Sequence, residues 1–206
     1  MLWIGGSPDA GKTSIAQRLA EQYGLHVYHF DRHEPAHFAL ADPQRQPALW
    51  AAHPDRMTTE ERWLGSPPEE MAEMTIAGWS ERVAFALDEL LELPAEPGIV
   101  AEGPGFFPDM VAPLIDDPRK AVWLVPDRHF KRASAYARGK PGSRGETSDP
   151  QRATENLIQR DLLMGEHIRA RAAALGLTVF IVDDTRDLEQ MIAAVEIHFY
   201  PFLPMP

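Results

Sequence analysis

The chain has 206 residues, 44% of them hydrophobic and 25% charged, which is enough for one sizeable globular core and short for two. Its formal net charge of -11 works against non-specific attraction to nucleic acid or anionic lipid, both of which rely on a basic surface, so a small molecule is the expected partner. Cysteine is absent, which excludes a disulfide framework and thiolate chemistry and makes a reducing cytoplasm the default location.

The opening MLWIGGSPDAGK lacks the basic start and apolar run of a secretory signal, and no later segment approaches the roughly 18 apolar residues of a membrane span. MLWI suits a buried parallel strand. Residues 6–13 then read Gly6-Ser7-Pro8-Asp9-Ala10-Gly11-Lys12-Thr13, a complete G-x-x-x-x-G-K-[ST] phosphate-binding loop. KTSIAQRLAEQYG follows, with Ile15, Leu19 and Tyr23 at helical spacing and Gly24 as the stop.

Strand, glycine loop and helix in this order let successive backbone N–H groups and the positive end of the helix face an anion. Gly6, Asp9, Ala10, Gly11, Lys12, Thr13 and Ser14 are therefore the expected nucleotide-binding residues, with ATP and Mg²⁺ as the implied cofactors. In this arrangement Lys12 reaches the β- and γ-phosphates, and the Thr13 hydroxyl is a magnesium ligand.

HVYHF (26–30) reads as a second strand, GIVAEG (98–103) as a third, AVWLVP (121–126) as a fourth and LTVFIVD (177–183) as a fifth. Ser66-Pro67-Pro68-Glu69 reads as a capping box that opens a helix running to Pro94. A second long helix is expected from Asp149-Pro150 to a glycine cap at Gly176. The alternation predicts a single α/β domain with a parallel sheet covered by helices on both faces.

Residues 32–65 carry many Pro, His, Arg and Trp residues without clean periodicity and read as an insert closing over a substrate. GKPGSRGETSDP (139–150) reads as a mobile polar loop, and the closing FYPFLPMP as an extended tail packed on the body.

This layout resembles the P-loop small-molecule kinases, which include nucleoside and nucleotide kinases, shikimate and gluconate kinases and chloramphenicol phosphotransferase. The resemblance spans most of the chain, though only the phosphate loop is highly specific. It implies a three-layer P-loop NTPase fold with a five-stranded parallel sheet in the order 2-3-1-4-5. It also implies a helical acceptor insert over 32–95 and an arginine-bearing lid over 127–150 that closes on the phosphates.

By the same resemblance Asp31, directly after VYHF, is the general base that takes a proton from an acceptor hydroxyl, with helix capping as its bland alternative. Glu102 ends the third strand and resembles the acid that the family places there to orient magnesium or contact the acceptor. Gly103 and Gly105 would let substrate approach the backbone.

The segment from Arg119 to Arg144 holds eight Lys and Arg residues against one acid, Asp127. A solvated helix face explains most such runs, but guanidinium groups are also what a phosphate lid requires, and Arg132, Arg138 and Arg144 are the candidates. Arg160 could reach back from the next helix. Asp184 to Arg186 occupy the turn where the resemblance places the adenine base.

His33-Glu34-Pro35-Ala36-His37 fits the H-E-x-x-H zinc pattern, with Glu60 or Glu61 as third ligand. If Asp31 caps the helix, Pro35 falls at about its fourth position and breaks it, so His33 and His37 are expected near the acceptor pocket or on the surface.

The leading expectation is a phosphotransferase moving the γ-phosphate to a hydroxyl of a nucleoside, sugar acid or antibiotic. A nucleoside monophosphate kinase stands second; EGPGFFPD lacks the arginine found after the third strand in adenylate-type kinases, which favours the hydroxyl acceptor. A switch or nucleotide-dependent binding module stands third. The guanine-reading Asn-Lys-x-Asp motif is missing, since the only asparagine, Asn156, precedes Leu157. Trp50, Trp63, Trp79 and Arg82 are candidates for the acceptor pocket.

Overall fold

The computed structural model describes residues 1–137 and 147–204. Five strands, β1 (Leu2–Gly6), β2 (His26–His29), β3 (Ile99–Glu102), β4 (Ala121–Pro126) and β5 (Thr178–Val182), form one sheet. Every pairing is parallel and the order is β2-β3-β1-β4-β5, as expected of a P-loop NTPase fold. β1, β3 and β4 are buried along their whole length, which is why they read as continuous apolar runs rather than alternating ones.

Nine α-helices lie among the described residues: α1 (Lys12–Tyr23), α2 (Glu34–Leu40), α3 (Pro47–Ala51), α4 (Thr59–Leu64), α5 (Pro68–Glu92), α6 (Pro108–Val111), α7 (Arg128–Ala137), α8 (Pro150–Ala174) and α9 (Leu188–Phe199). Two cores result. On one face Ile15, Leu19, Ile192 and Phe199 of α1 and α9 pack on Ile4, Val122 and Leu124. On the other, Val83, Leu90, Met164 and Ile168 of α5 and α8 pack on Trp3, Trp123 and Phe106.

Gly24 ends α1 at φ 64, and Gly176 at φ 66 follows α8. Asp149 caps α8 by accepting from the Arg152 N–H at 3.0 Å.

Three expectations change. α5 is capped at Pro67 without any side-chain hydrogen bond and ends at Glu92, because the Pro67-Pro68 pair fixes the entry and leaves Ser66 one position too early to cap it. The segment 32–65 folds into α2, α3 and α4, each too short to carry a periodic signal. A 3₁₀ turn (Phe30–His33) precedes α2, so Asp31 is not a helix cap and Pro35 falls in the first turn of α2, where its missing N–H is tolerated.

The tail forms a 3₁₀ turn (Tyr200–Phe202), and its Phe202 and Leu203 pack against the α1/α9 core. The lid candidates Arg138 and Arg144, and most of the loop 139–150, lie outside the described residues. Among the described residues no helix is long and apolar enough to cross a membrane.

Candidate active site

The carboxyl ends of β1, β2 and β3 converge because their register aligns them: Ile4 pairs with Glu102, and Glu102 pairs with His29. In an open parallel sheet the crevice beyond these ends, where the connections diverge, is the natural ligand site. A cleft of about 530 Å³ opens there, walled by the phosphate loop on one side and by Asp31, Glu34, Trp63, Trp79 and Arg160 on the other.

The loop owes its shape to three left-handed positions, Gly6 at φ 126, Asp9 at φ 68 and Gly11 at φ 83. Gly6 cannot be replaced freely, since a Cβ there would stand 2.0 Å from the Leu124 carbonyl oxygen of the adjoining strand. Lys12 is buried and its ammonium donates to the Ser7 carbonyl at 2.7 Å. Burial pulls its pKa below the ordinary lysine value, against the raising influence of Glu102, Asp31 and Asp9.

Thr13 Oγ1 donates to Glu102 Oε1 at 3.1 Å, and His29 Nδ1 lies 2.7 Å from the same oxygen. The strand register brings this hydroxyl–carboxylate pair to the mouth of the loop. Its oxygens are of the hard type that magnesium prefers, and magnesium needs only one or two protein ligands beside phosphate oxygens and water. The buried lysine, the turned loop and this pair therefore fit a magnesium-bound nucleotide.

Asp31 lies on the cleft wall in the 3₁₀ turn. The turn is held from behind by Arg82 of α5, whose side chain is fully buried. Its guanidinium donates to the Phe30 carbonyl at 2.9 Å and to Glu34 Oε1 at 2.8 Å, stands 4.1 Å from the Phe30 ring centroid, and donates to His37 Nδ1 at 3.3 Å. Burial raises the Glu34 pKa, with Arg82 pulling the other way. Arg82 is thus a support behind the cleft rather than a wall of it.

The H-E-x-x-H stretch takes a different role from the one its pattern names. His33 Nδ1 and His37 Nε2 both approach Glu89 Oε2, at 3.0 and 3.3 Å, while Glu34 turns to Arg82. His37 is fully buried, behind the cleft rather than in it, and burial depresses its pKa. Among the described residues no group of three His, Cys, Asp or Glu side chains could hold a metal ion.

Gly103 and Gly105 also serve packing rather than substrate approach. A Cβ on Gly103 would stand 2.3 Å from Phe30 Cβ, and one on Gly105 would stand 2.4 Å from the edge of the same ring. Their lack of side chains lets Phe30, the neighbour of Asp31, sit down on the sheet.

On the acceptor side Trp79 stacks on Phe107 at 6.4 Å between centroids, and the Arg160 guanidinium stands 5.0 Å from the Trp63 ring centroid while bonding to Asp161. Trp50 instead lies under Arg56, away from the cleft lining.

Other expected residues lie apart from the cleft. Arg132 is on the exposed face of α7, where both terminal nitrogens bond to Glu155 at 2.8 and 2.6 Å. Asp184 pairs with His129 at 3.0 Å, and Arg186 sits 6.0 Å from the Phe180 ring centroid; both are exposed in the turn after β5.

Two residues that sequence reasoning passed over join the site. His29 required the strand register to be found opposite Glu102. Lys131 is buried against the phosphate loop; its one sequence signal is Ala135, a small residue one turn further along the inward face of α7.

No protein-family model and no curated protein matches the chain. Among solved structures it is similar to a deoxyadenosine kinase from M. mycoides with the products dCMP and a flexible dCDP bound, at a TM-score of 0.48 and 10% identity over 97% of this chain and 98% of that one. It is also similar to an uncharacterized protein from Eubacterium ventriosum, at a TM-score of 0.41 and 13% identity over 97% of each chain.

Proposed function

We propose that the protein is an ATP- and magnesium-dependent phosphotransferase that moves the γ-phosphate to a hydroxyl of a small molecule. The observation that carries this reading is that one cleft holds the phosphate loop, the Thr13–Glu102 pair and Asp31, with an aromatic-walled compartment beyond them.

The bound nucleotide would supply the phosphoryl group, and its magnesium ion would neutralise charge between the phosphates. The loop amides of Asp9 to Thr13 hold the polyphosphate, and Lys12 follows the charge that develops on it. Thr13 and Glu102 present oxygens to the metal. Asp31 accepts the proton of the attacking hydroxyl as the new oxygen–phosphorus bond forms and the bond from the γ-phosphorus to the bridging oxygen breaks, leaving ADP, a role worth about 10²–10⁴-fold in rate. Trp63 and Trp79 border the space where the acceptor sits.

A nucleoside monophosphate acceptor is the second reading, and Arg160 is the observation in its favour. It is the one cation on the acceptor wall among the described residues, but Asp161 already holds it. The two readings part in an acceptor screen by ADP release. A hydroxyl acceptor requires Asp31, whereas an ionised monophosphate leaves Asp31→Asn nearly as active as the parent.

A further inference from the structure

Lys131 is a buried charge that the proposed reaction does not use. On α7 the neighbouring Arg128 and Arg132 are exposed, but Lys131 has no solvent exposure at all. Its ammonium lies 2.8 Å from Asp9 Oδ2, 2.5 Å from Asp161 Oδ2 and 3.5 Å from the Pro8 carbonyl oxygen. A buried ammonium persists only when it is well paired, and here two nearly buried carboxylates from separate elements pair it.

Asp9 is the unexpected partner. The amides of the phosphate loop are arranged to receive an anion, yet Asp9 sets a carboxylate in the middle of them. Its φ of 68 does not account for this choice, since glycine takes that conformation with less strain. The contact with Lys131 does, because it ties the loop to α7. Asp161 in turn gives its other oxygen to Arg160, so the charges run Asp9–Lys131–Asp161–Arg160 from the phosphate end of the cleft to its acceptor end.

We propose that Lys131 is a positioning residue for the phosphate loop: its charge cancels that of Asp9, and its bridge to Asp161 pins the loop to α8 in the shape that receives a polyphosphate. This rests on the phosphotransferase reading of the cleft. Lys131 need not touch the nucleotide.

The test is calorimetric titration with magnesium-ADP, where no chemistry occurs, on the parent, Lys131→Met, Asp9→Asn and the double variant, with melting temperatures measured without nucleotide. Lys131→Met removes the cation between the two carboxylates and is expected to weaken ADP binding about tenfold or more. Asp9→Asn keeps the shape and the hydrogen bond but removes the charge, and is expected to tighten ADP about threefold with little change in melting temperature. The double variant, in which neither charge remains, is expected to bind ADP at least as tightly as the parent, whereas independent single effects would leave it about threefold weaker or worse, a rescue that loss of a purely structural lysine would not give.

The proposal is overturned if the double variant binds ADP about threefold or more weakly than the parent, as independent effects would give, or if Asp9→Asn binds ADP no tighter than the parent. The second criterion stands alone should Lys131→Met not fold. A parent protein that binds no ADP would sink the phosphotransferase reading itself, whereas a parent that binds with Lys131→Met unchanged overturns only the role of Lys131.

Discussion

Thr13 Oγ1 and Glu102 Oε1 are joined by a 3.1 Å hydrogen bond although 89 residues separate them in the chain. The parallel pairing of β1 and β3 makes that contact, and it gives the proposed metal site its two protein oxygens. Glu102→Gln keeps the side-chain shape and removes the charge. It is expected to raise the magnesium concentration needed for half-maximal ADP release about tenfold, measured by metal titration at saturating ATP.

Arg82 supports the segment that carries Asp31 through bonds to the Phe30 carbonyl and Glu34. Because it is fully buried, its removal leaves several polar partners unsatisfied at once. Arg82→Met is expected to cost about 3–5 kcal/mol in urea unfolding, and to lower the turnover rate of whatever folded protein remains. Glu34→Gln, which leaves the Arg82–Phe30 contact in place, is expected to cost far less.

Gly103 yields to Phe30, and a methyl group there would meet its Cβ at 2.3 Å. Gly103→Ala is therefore expected to destabilise the protein by about 1–3 kcal/mol and to shift Asp31 with its neighbour, lowering turnover more than nucleotide affinity. Separate determination of ADP affinity and turnover checks this.

His37 is held neutral by burial, with Arg82, Glu89 and His33 around it. A histidine whose folded pKa lies below the unfolded value of about 6.5 contributes stability that is complete above that pH. The contribution is lost as pH falls below it, because the unfolded chain binds the proton more readily. His198, half-buried and also depressed by burial, acts in the same direction. Urea unfolding between about pH 5 and 8 should show stability falling on the acid side, and His37→Asn should flatten that slope.

Much of the fold was legible because its signals are local. The phosphate loop is a contiguous motif, and the buried strands of a parallel sheet are apolar throughout, so AVWLVP and IVAE stand out by eye. The acceptor side was not, because α2, α3 and α4 are single turns or little more, and proline placement alone did not reveal the 3₁₀ turn that moves Pro35 into a tolerated position.

The supports of the site are harder still, since they depend on tertiary pairing. Arg82 reaches partners 45 to 52 residues away, and Lys131 reaches Asp9 across 122. A basic run announces that cations are present but not which one turns inward. The same limit explains Arg132: its charge suited a phosphate lid, while its surroundings offered Glu155.

The central claim is that the cleft transfers phosphate from ATP to an acceptor hydroxyl with Asp31 as base. The most direct measurement is ADP release from magnesium-ATP across nucleosides, monophosphates, sugar acids, and aminoglycoside and phenicol antibiotics, with Lys12→Ala as the blank. The account predicts that one hydroxyl compound stimulates release, that Lys12→Ala abolishes it, and that Asp31→Asn lowers it about 10²-fold or more. Nucleotide binding without stimulation by any acceptor, or full activity in Asp31→Asn, would contradict it.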